Sequence, residues 1–181
     1  MRVIRIRQVK KEIRVLGIAV KASAEDEQFN AVGVVFRGAL WLDGVMKTTA
    51  KGPDITNELA EMITESPHHP QIRAILLHHS LIKGGATVKP YHLSTATSKP
   101  VITISKDERS LEAPLTSGEL AVFRFLYERG DESMDVLSIG LRSSDTAKIL
   151  EMTTREGVMP EALRVANLIV SAVAASPKQN I

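Results

Sequence analysis

Apolar runs alternate with amphipathic stretches along the chain, and their order predicts an α/β domain. Six runs rich in β-branched residues are expected to form strands, at residues 12–20, 31–37, 40–49, 72–79, 100–105 and 135–141. Gly38 leaves only a short turn between the second and third runs, which predicts a hairpin. The first third of the chain is therefore rich in strands.

Helical spacing predicts the remaining elements. The expected helices lie at residues 55–66, 88–95, 120–130, 145–157 and 161–176, the second of them weakly. The expected caps of the first, third and fourth helices are Asp54, a Thr116–Glu119 capping box, and Ser143 or Ser144. Pro160 suits the first position of the last helix. That helix is apolar on nearly every side, so we expect it to be buried at a domain or subunit interface, where it would join copies of the chain.

This element order favours a mixed sheet flanked by helices, antiparallel in its first strands and parallel in its later ones. Three early strands followed by alternating helices and strands form the element order of an RNase H-like fold. At 181 residues, the chain is expected to form a single domain over residues 1–181. Residues 1–11 would add a basic strand or arm, and residues 176–181 a flexible tail.

Composition excludes several classes of site. No apolar run approaches the roughly 18 residues needed to cross a membrane, and no signal-peptide hydrophobic region follows the basic start, so export is not expected. The chain has no cysteine, which excludes disulfides, thiolate zinc sites and cysteine nucleophiles. A cytoplasmic location fits this composition.

Charge is distributed unevenly, although the net charge is only +2. Residues 2–14 contain one acid, Glu12, and six cations: Arg2, Arg5, Arg7, Lys10, Lys11 and Arg14. One interpretation is an arm that contacts phosphates through Arg5, Arg7, Lys10 and Lys11. The other, which the interleaved apolar residues favour, is an edge strand kept soluble by its charges. Lys83, in a glycine-containing loop, is a further candidate for phosphate binding, although the loop lacks the spacing of a P-loop.

Four of the five histidines form two adjacent pairs, which suggests a metal site. Neighbouring residues on a strand point to opposite faces, however, so one pair does not easily serve one ion. His68 and His69 lie between prolines and are expected to be exposed. His78 and His79 end a central strand, where ligands of open α/β sheets gather. Trp41, the only tryptophan, could stack on a base, but a core or interface position is favoured.

Several segments together resemble a known family. "EIRVLGI", "AVGVVFRGALWLDGV", "DITNELAEMI", "IRAILL", "PVITIS" and "PEALRVANLIVSAV" are similar, in this order, to a family of small archaeal proteins related to endonuclease V and labelled endonuclease dU. The resemblance covers roughly residues 10–175 and implies an RNase H-like fold. It also implies phosphodiester cleavage by carboxylates that hold Mg²⁺ or Mn²⁺.

The chain departs from this family pattern at three positions. Ala19 and Val20 stand where the family carries an aspartate pair, and His78 stands where it carries an acid. Asn167 replaces a histidine of the last helix. Two acids remain as candidates: Asp54, which also suits a helix cap, and Asp43, which also suits a turn or bulge.

Two functional hypotheses follow. The first is a catalytically degenerate family member that binds nucleic acid or protein on the old cleft, lined by His78, His79, Lys83 and the basic arm. The alternative is an active endonuclease on DNA containing deoxyuridine or deoxyinosine. It would use Mg²⁺ or Mn²⁺ with Asp43, Asp54 and one of the two histidines as catalytic residues. DNA is the candidate partner of both hypotheses, with RNA or a protein as alternatives under the first, and a membrane is not an expected partner.

Overall fold

Seven strands form one mixed sheet in the residues that the computed structural model describes, which are 1–23, 27–83, 85–107, 111 and 118–175. The strand order is β3-β2-β1-β4-β5-β7-β6. The strands are β1 (Arg14–Ala22), β2 (Gln28–Arg37), β3 (Trp41–Lys51), β4 (Ala74–His78), β5 (Val101–Ser105), β6 (Val122–Arg129) and β7 (Glu132–Ile139). The predicted hairpin of the second and third strands is confirmed, because β2 and β3 pair antiparallel.

The parallel part of the sheet is its centre. Strands β1, β4 and β5 run side by side in the same direction. Strand β7 pairs antiparallel with β5, and β6 pairs antiparallel with β7, so the parallel pairing predicted for the later strands holds only for β4 and β5. The predicted mixed sheet is confirmed. We call the two ends of β1, β4 and β5 the carboxyl end and the amino end of the sheet.

Helices cover both faces of the sheet. They are α1 (Thr56–Thr64), α2 (Ser80–Lys83), α3 (Pro90–Thr97), α4 (Ser143–Thr153) and α5 (Glu161–Ala175). Leu59 and Leu93, from α1 and α3, pack with Leu16 and Ile75 of the sheet in one apolar core. The other core joins α4 and α5 to the opposite face, where Val15 and Leu76 lie. Side chains alternate along each strand, so every strand residue faces either the α1 side or the α5 side.

Helix α5 lies very close to the backbone of β1. A Cβ atom at Gly17 would lie 2.6 Å from the Leu163 nitrogen and would also overlap the Ala162 carbonyl group. Only one side of the helix is covered, since Leu163, Ala166 and Val170 are buried whereas Leu168 is 60% exposed. Burial of its other side at a subunit interface therefore stays a prediction.

The helix predicted at residues 120–130 is wrong, because β6 occupies this segment. Its β-branched and aromatic residues suit a strand, and it pairs with β7 from Val122–Ile139 to Arg129–Glu132. Gly130, at φ +60°, makes the hairpin turn between them and does not end a helix. Thr116 of the predicted capping box lies outside the described residues, as does the predicted tail at 176–181.

The predicted cap of the fourth helix is also wrong. Helix α4 begins at Ser143, its N-cap is Arg142, and no side chain bonds the cap. The helix ends at Thr153, before Gly157, and both Thr153 and Thr154 donate hydroxyl bonds back to carbonyl oxygens of its last turn.

The basic N-terminal segment crosses the amino end of the sheet and is not an edge strand. Its backbone pairs at one isolated bridge, between Arg2 and Leu120. Further along, the Ile4 amide donates to Gly140, and the Gly38 amide donates to Ile13. No helix among the described residues is long and apolar enough to span a membrane.

Candidate functional site

Two of the three positions that depart from the family pattern lie side by side at the carboxyl end. Ile18 of β1 pairs with Leu77 of β4, so the next residues, Ala19 and His78, are neighbours on the α5 side. Ala19 is 3% exposed and belongs to the apolar core. Its methyl group offers no ligand, and the core leaves little room for a longer side chain.

His78 is held by the start of the short helix α2. Its Nδ1 lies 3.0 Å from the Ser80 hydroxyl, and the Ser80 amide donates to the same nitrogen at 3.3 Å. A backbone amide can only donate, so Nδ1 is the acceptor and the neutral ring carries its proton on Nε2. Burial, followed by the charge of His79, lowers the pKa of His78 below its usual value. The ring is therefore suited to remain neutral near pH 7.

His79 is oriented differently from its neighbour. Its backbone amide donates to the Ile104 carbonyl at 2.8 Å, and its ring meets that of His78 edge to face, with the centroids 5.6 Å apart. Its Nδ1 is buried and has no hydrogen-bond partner among the described residues.

Asp54 also lies at the carboxyl end, but its carboxylate is already bonded. One oxygen accepts hydrogen bonds from the Thr56 amide at 3.1 Å and the Thr56 hydroxyl at 2.6 Å. The other lies 2.7 Å from the Lys89 ammonium group. The Lys89 bond, followed by the Thr56 bond, lowers the pKa of Asp54 from 3.8 to about 2. These contacts give Asp54 a structural role at the start of α1.

The residues of the carboxyl end do not fit a hard divalent cation. Such ions are held by several oxygen ligands that converge on one point. Within the described part of the chain, no group of three histidine or acidic side chains is placed to hold a metal ion. Asn167, the third altered position, is exposed on α5.

Asp43 lies at the opposite end of the sheet from Asp54. It is the extra residue of a β-bulge in β3, where Val35 pairs with Gly44 and Phe36 with Leu42. Strand β3 rises about 3.3 Å per residue, so Asp43 and Asp54 are separated by at least about 25 Å in the strand direction. The structure therefore does not bring the two candidate acids into one site.

The carboxylate of Asp43 is committed to two arginines. It accepts a hydrogen bond from Arg14 Nε at 2.7 Å. Arg37 Nε lies 3.4 Å from its other oxygen, an ion pair without a well-aligned hydrogen bond. Asp43 thus neutralises part of a basic surface at the amino end.

That surface is a groove of about 830 Å³ at the amino end, which we call the arginine groove. Its lining includes one acid, Glu12, and six cations: Arg5, Arg7, Lys10, Arg14, Arg37 and Arg73. The basic arm lines one part of the groove, and the start of β1, the end of β2 and the residues just before β4 line the rest. The groove and His78 lie at opposite ends of β4, roughly 16 Å apart. The arm therefore does not line one cleft together with His78 and His79, as the sequence suggested.

Several predicted binding residues lie elsewhere. Lys11 is exposed beside the groove without lining it, and the side chain of Lys83 lies outside the described part of the chain. The expected exposure of His68 and His69 is wrong. The His69 ring bonds the Thr97 carbonyl oxygen at 2.9 Å, and the His68 ring occupies the space beside Gly44.

Sequence reasoning missed Arg37 and Arg73, and it favoured a core or interface position for Trp41. Both arginines are single charges next to apolar runs, and only the strand register brings them to the arm. Trp41 is 59% exposed, and the Arg37 guanidinium lies 5.9 Å from its ring centroid. The missed signal is that Arg37 and Trp41 flank the turn at Gly38, which makes them neighbours in a hairpin.

Comparison with known proteins identifies the family. A model of the family described as endonuclease dU matches residues 11–174. The chain belongs to the endonuclease dU family. The match begins at the last residue of the basic arm and includes every strand and helix of the described fold, except the final residue of α5.

Archaeal relatives of this endonuclease dU family member match along nearly their whole length. A protein of Methanothermobacter thermautotrophicus named UPF0215 protein is 34% identical, over 92% of this chain and 90% of the relative. A UPF0215 protein of Methanopyrus kandleri is also 34% identical, over 93% of this chain and 95% of the relative. Neither name states an activity.

Solved structures share the fold of this family member. A protein of unknown function from Archaeoglobus fulgidus has a TM-score of 0.69 and 25% identity, over 90% of this chain and 99% of that one. Endonuclease V of Ciona intestinalis, solved with a 24mer DNA containing an inosine, has a TM-score of 0.62 and 13% identity, over 88% and 84%. Argonaute of Marinitoga piezophila has a TM-score of 0.51 and 9% identity, over 93% of this chain and 31% of that one. At such low identity, the last two show the RNase H-like fold alone.

Proposed function

We propose that this endonuclease dU family member binds nucleic acid through the arginine groove and does not cleave it. The observation that carries the proposal is the concentration of six cations along one groove of a chain whose net charge is only +2. Nucleic-acid phosphates are the polyanion that such a groove suits, because each bound phosphate releases condensed counterions.

The cations of the arm are available to a ligand. Arg5, Arg7 and Lys10 are exposed, and none of them forms an ion pair with an acid among the described residues. Arg14 uses its Nε for Asp43, so its terminal nitrogens remain directed elsewhere. The cations of the groove therefore lie on ordered backbone, whereas those of a flexible basic tail would not.

The proposed loss of cleavage is supported by the residues at the carboxyl end of the sheet. The position of the family's aspartate pair is occupied by Ala19, inside the core, and by Val20. The nearest candidate acid, Asp54, is bonded to Lys89 and Thr56. A nuclease site would have to break these contacts and recruit a further carboxylate.

A cleavage assay tests the catalytic half. The protein is incubated with labelled DNA containing one deoxyuridine or one deoxyinosine, in Mg²⁺ or Mn²⁺. We expect no cleavage above a blank without protein. Metal-dependent cleavage that disappears in Asp54→Asn would overturn this half and establish the active endonuclease instead.

A binding assay tests the other half. We expect labelled DNA to be retained at low salt and released as salt rises. A double variant, Arg5→Glu with Arg7→Glu, should weaken binding at least about tenfold and flatten the salt dependence. The matched control is Lys148→Glu with Arg155→Glu, two exposed cations on and just after α4 that change the net charge equally. Equal losses of DNA affinity in the two double variants would show that binding depends on overall charge and would contradict a site in the arginine groove.

A further inference from the structure

Four residues at the amino end form a row across four neighbouring strands. Arg37 of β2 pairs with Trp41 of β3 on one side and with Arg14 of β1 on the other. The Arg73 amide, just before β4, donates to the Arg14 carbonyl at 2.9 Å. We call this set, Trp41, Arg37, Arg14 and Arg73, the arginine–tryptophan row.

The side chains of Arg14 and Arg37 lie on the α1 side of the sheet. Leu16, Val35 and Ile75 belong to the core on that side. Arg14 and Arg37 each lie two residues from one of them, so strand alternation places both on the same face. Arg73 precedes β4 and lies beside Arg14, to which its amide is bonded. Neighbouring strands are about 4.8 Å apart, so the row extends over roughly 14 Å. It presents three arginine side chains with an aromatic ring at one end.

Trp41 is placed as an open platform. It is 59% exposed, and the flanking Leu40 and Leu42 are 67% and 49% exposed. The Arg37 guanidinium approaches its ring at 5.9 Å, within the range of a cation–π contact. The ring is therefore positioned beside the cations while much of its surface remains in water. Exposing the largest apolar side chain has a cost that a planar ligand would remove.

Asp43 fixes the orientation of two members of the row. Its carboxylate is 18% exposed and holds Arg14 and Arg37 through their Nε atoms. Held from that side, a guanidinium group keeps its terminal nitrogens for a phosphate. The carboxylate thus acts as a positioning group.

We infer that the arginine–tryptophan row binds a single-stranded polynucleotide, with one base stacked on Trp41 and the backbone phosphates along Arg37, Arg14 and Arg73. This inference rests on the proposed function and adds the form of nucleic acid to it. A positive groove with an aromatic platform suits single strands, because an unpaired base offers a face to the ring. In a duplex the bases are stacked on one another, and only the phosphates would reach the groove.

The test compares four labelled ligands: a DNA oligothymidylate, an RNA oligouridylate, a DNA duplex and inorganic polyphosphate. The two single strands distinguish DNA from RNA, and polyphosphate supplies charge without bases. We expect Trp41→Ala to weaken both single strands, or the one preferred, about tenfold. Binding of duplex and polyphosphate should change less than about twofold, since neither presents a free base.

Two controls separate stacking from folding and from general apolar contact. Trp41→Phe should keep most of the single-strand affinity, because it keeps an aromatic face. Leu126→Ala, at an exposed residue of the opposite edge strand β6, should leave all four affinities unchanged. Because Trp41 is the only tryptophan, its fluorescence should be quenched by the single strands and not by polyphosphate.

The outcomes distinguish the two proposals. Unchanged single-strand binding in Trp41→Ala, with no quenching in the wild type, would overturn the inference while leaving the groove intact. Absence of binding to all four ligands would overturn the proposed function itself. If Trp41→Ala converts a dimer into a monomer and changes no affinity, the ring belongs to a protein interface and the inference is wrong.

Discussion

Contacts of Arg14 and Asp43 show how single residues determine the arrangement of charges at the arginine groove. Arg14 donates from Nε to Asp43, and its carbonyl oxygen accepts from Arg73. Arg14 and Asp43 are 29 residues apart in sequence. No local pattern joins them, so sequence reasoning could recognise Asp43 as a bulge residue but not as the counter-charge of the groove.

Asp54 supports a prediction at the same scale, on the pH dependence of stability. Its pKa is lowered in the fold from 3.8 to about 2, so its stabilising contribution is complete above the unfolded value and is lost as pH falls toward 2. Both Asp54 and Lys89 are substantially exposed, so the contribution is about 0.5–1 kcal/mol after screening by solvent. Asp54→Asn should therefore lower the melting temperature at pH 6, and this effect should shrink as pH falls toward 2 and disappear below it.

Thermal unfolding followed by circular dichroism over this pH range measures the difference. Lys89→Met is the matched control, since it removes the other half of the pair. In that background, Asp54→Asn should have a smaller effect at pH 6. A wild-type advantage that stays constant down to pH 2 would contradict the assignment.

At the scale of elements, apolar runs predicted most strands but not their partners. Strands β1, β2, β4 and β5 follow from β-branched runs that are largely buried by helices on both faces. The run that forms β3 is mostly exposed or half-buried. Residues 120–130 satisfy helical spacing equally well, and only pairing with β7 makes them a strand. The error came from local pattern, because a hairpin turn at Gly130 resembles the glycine that ends a helix.

The packing of α5 on β1 supports a second prediction. Gly17→Ala should lower the free energy of unfolding by about 3 kcal/mol, because its Cβ would meet the backbone of Ala162 and Leu163, which cannot rotate away. Urea unfolding measures the change. Gly85→Ala is the control, since its Cβ would lie 3.8 Å from the Phe29 ring in ordinary contact. Equal losses in the two variants would show that α5 does not depend on this close approach.

At the scale of the whole molecule, the arginine groove and His78 lie at opposite ends of the sheet. The sequence had predicted one cleft that contained both. The RNase H-like fold and the altered family positions could be predicted from resemblance. The location of the basic arm could not, because the arm has no regular pairing apart from the bridge at Arg2. Its contacts with Gly140 and Glu119 place it across the amino end, away from His78.

Self-association remains a prediction at this scale. Helix α5 uses one side for the core and leaves Leu168 60% exposed on the other. If that side joins two copies, sedimentation velocity should show a dimer, and Leu168→Glu should dissociate it by placing a charge in an apolar contact. Leu126→Glu, at a 49% exposed residue on β6, is the control. A monomeric wild type would refute the prediction.

Because of the bulge at Asp43, the charge of this hairpin can change without a change in its strand register. Phe36 pairs with Leu42 and Val35 with Gly44, so Asp43 occupies no rung of its own. Deleting this one residue would keep Trp41 opposite Arg37 and would remove the negative charge that contacts Arg14 and Arg37. In relatives, a hairpin shorter by one residue here would therefore signal a more basic surface and not a shifted sheet.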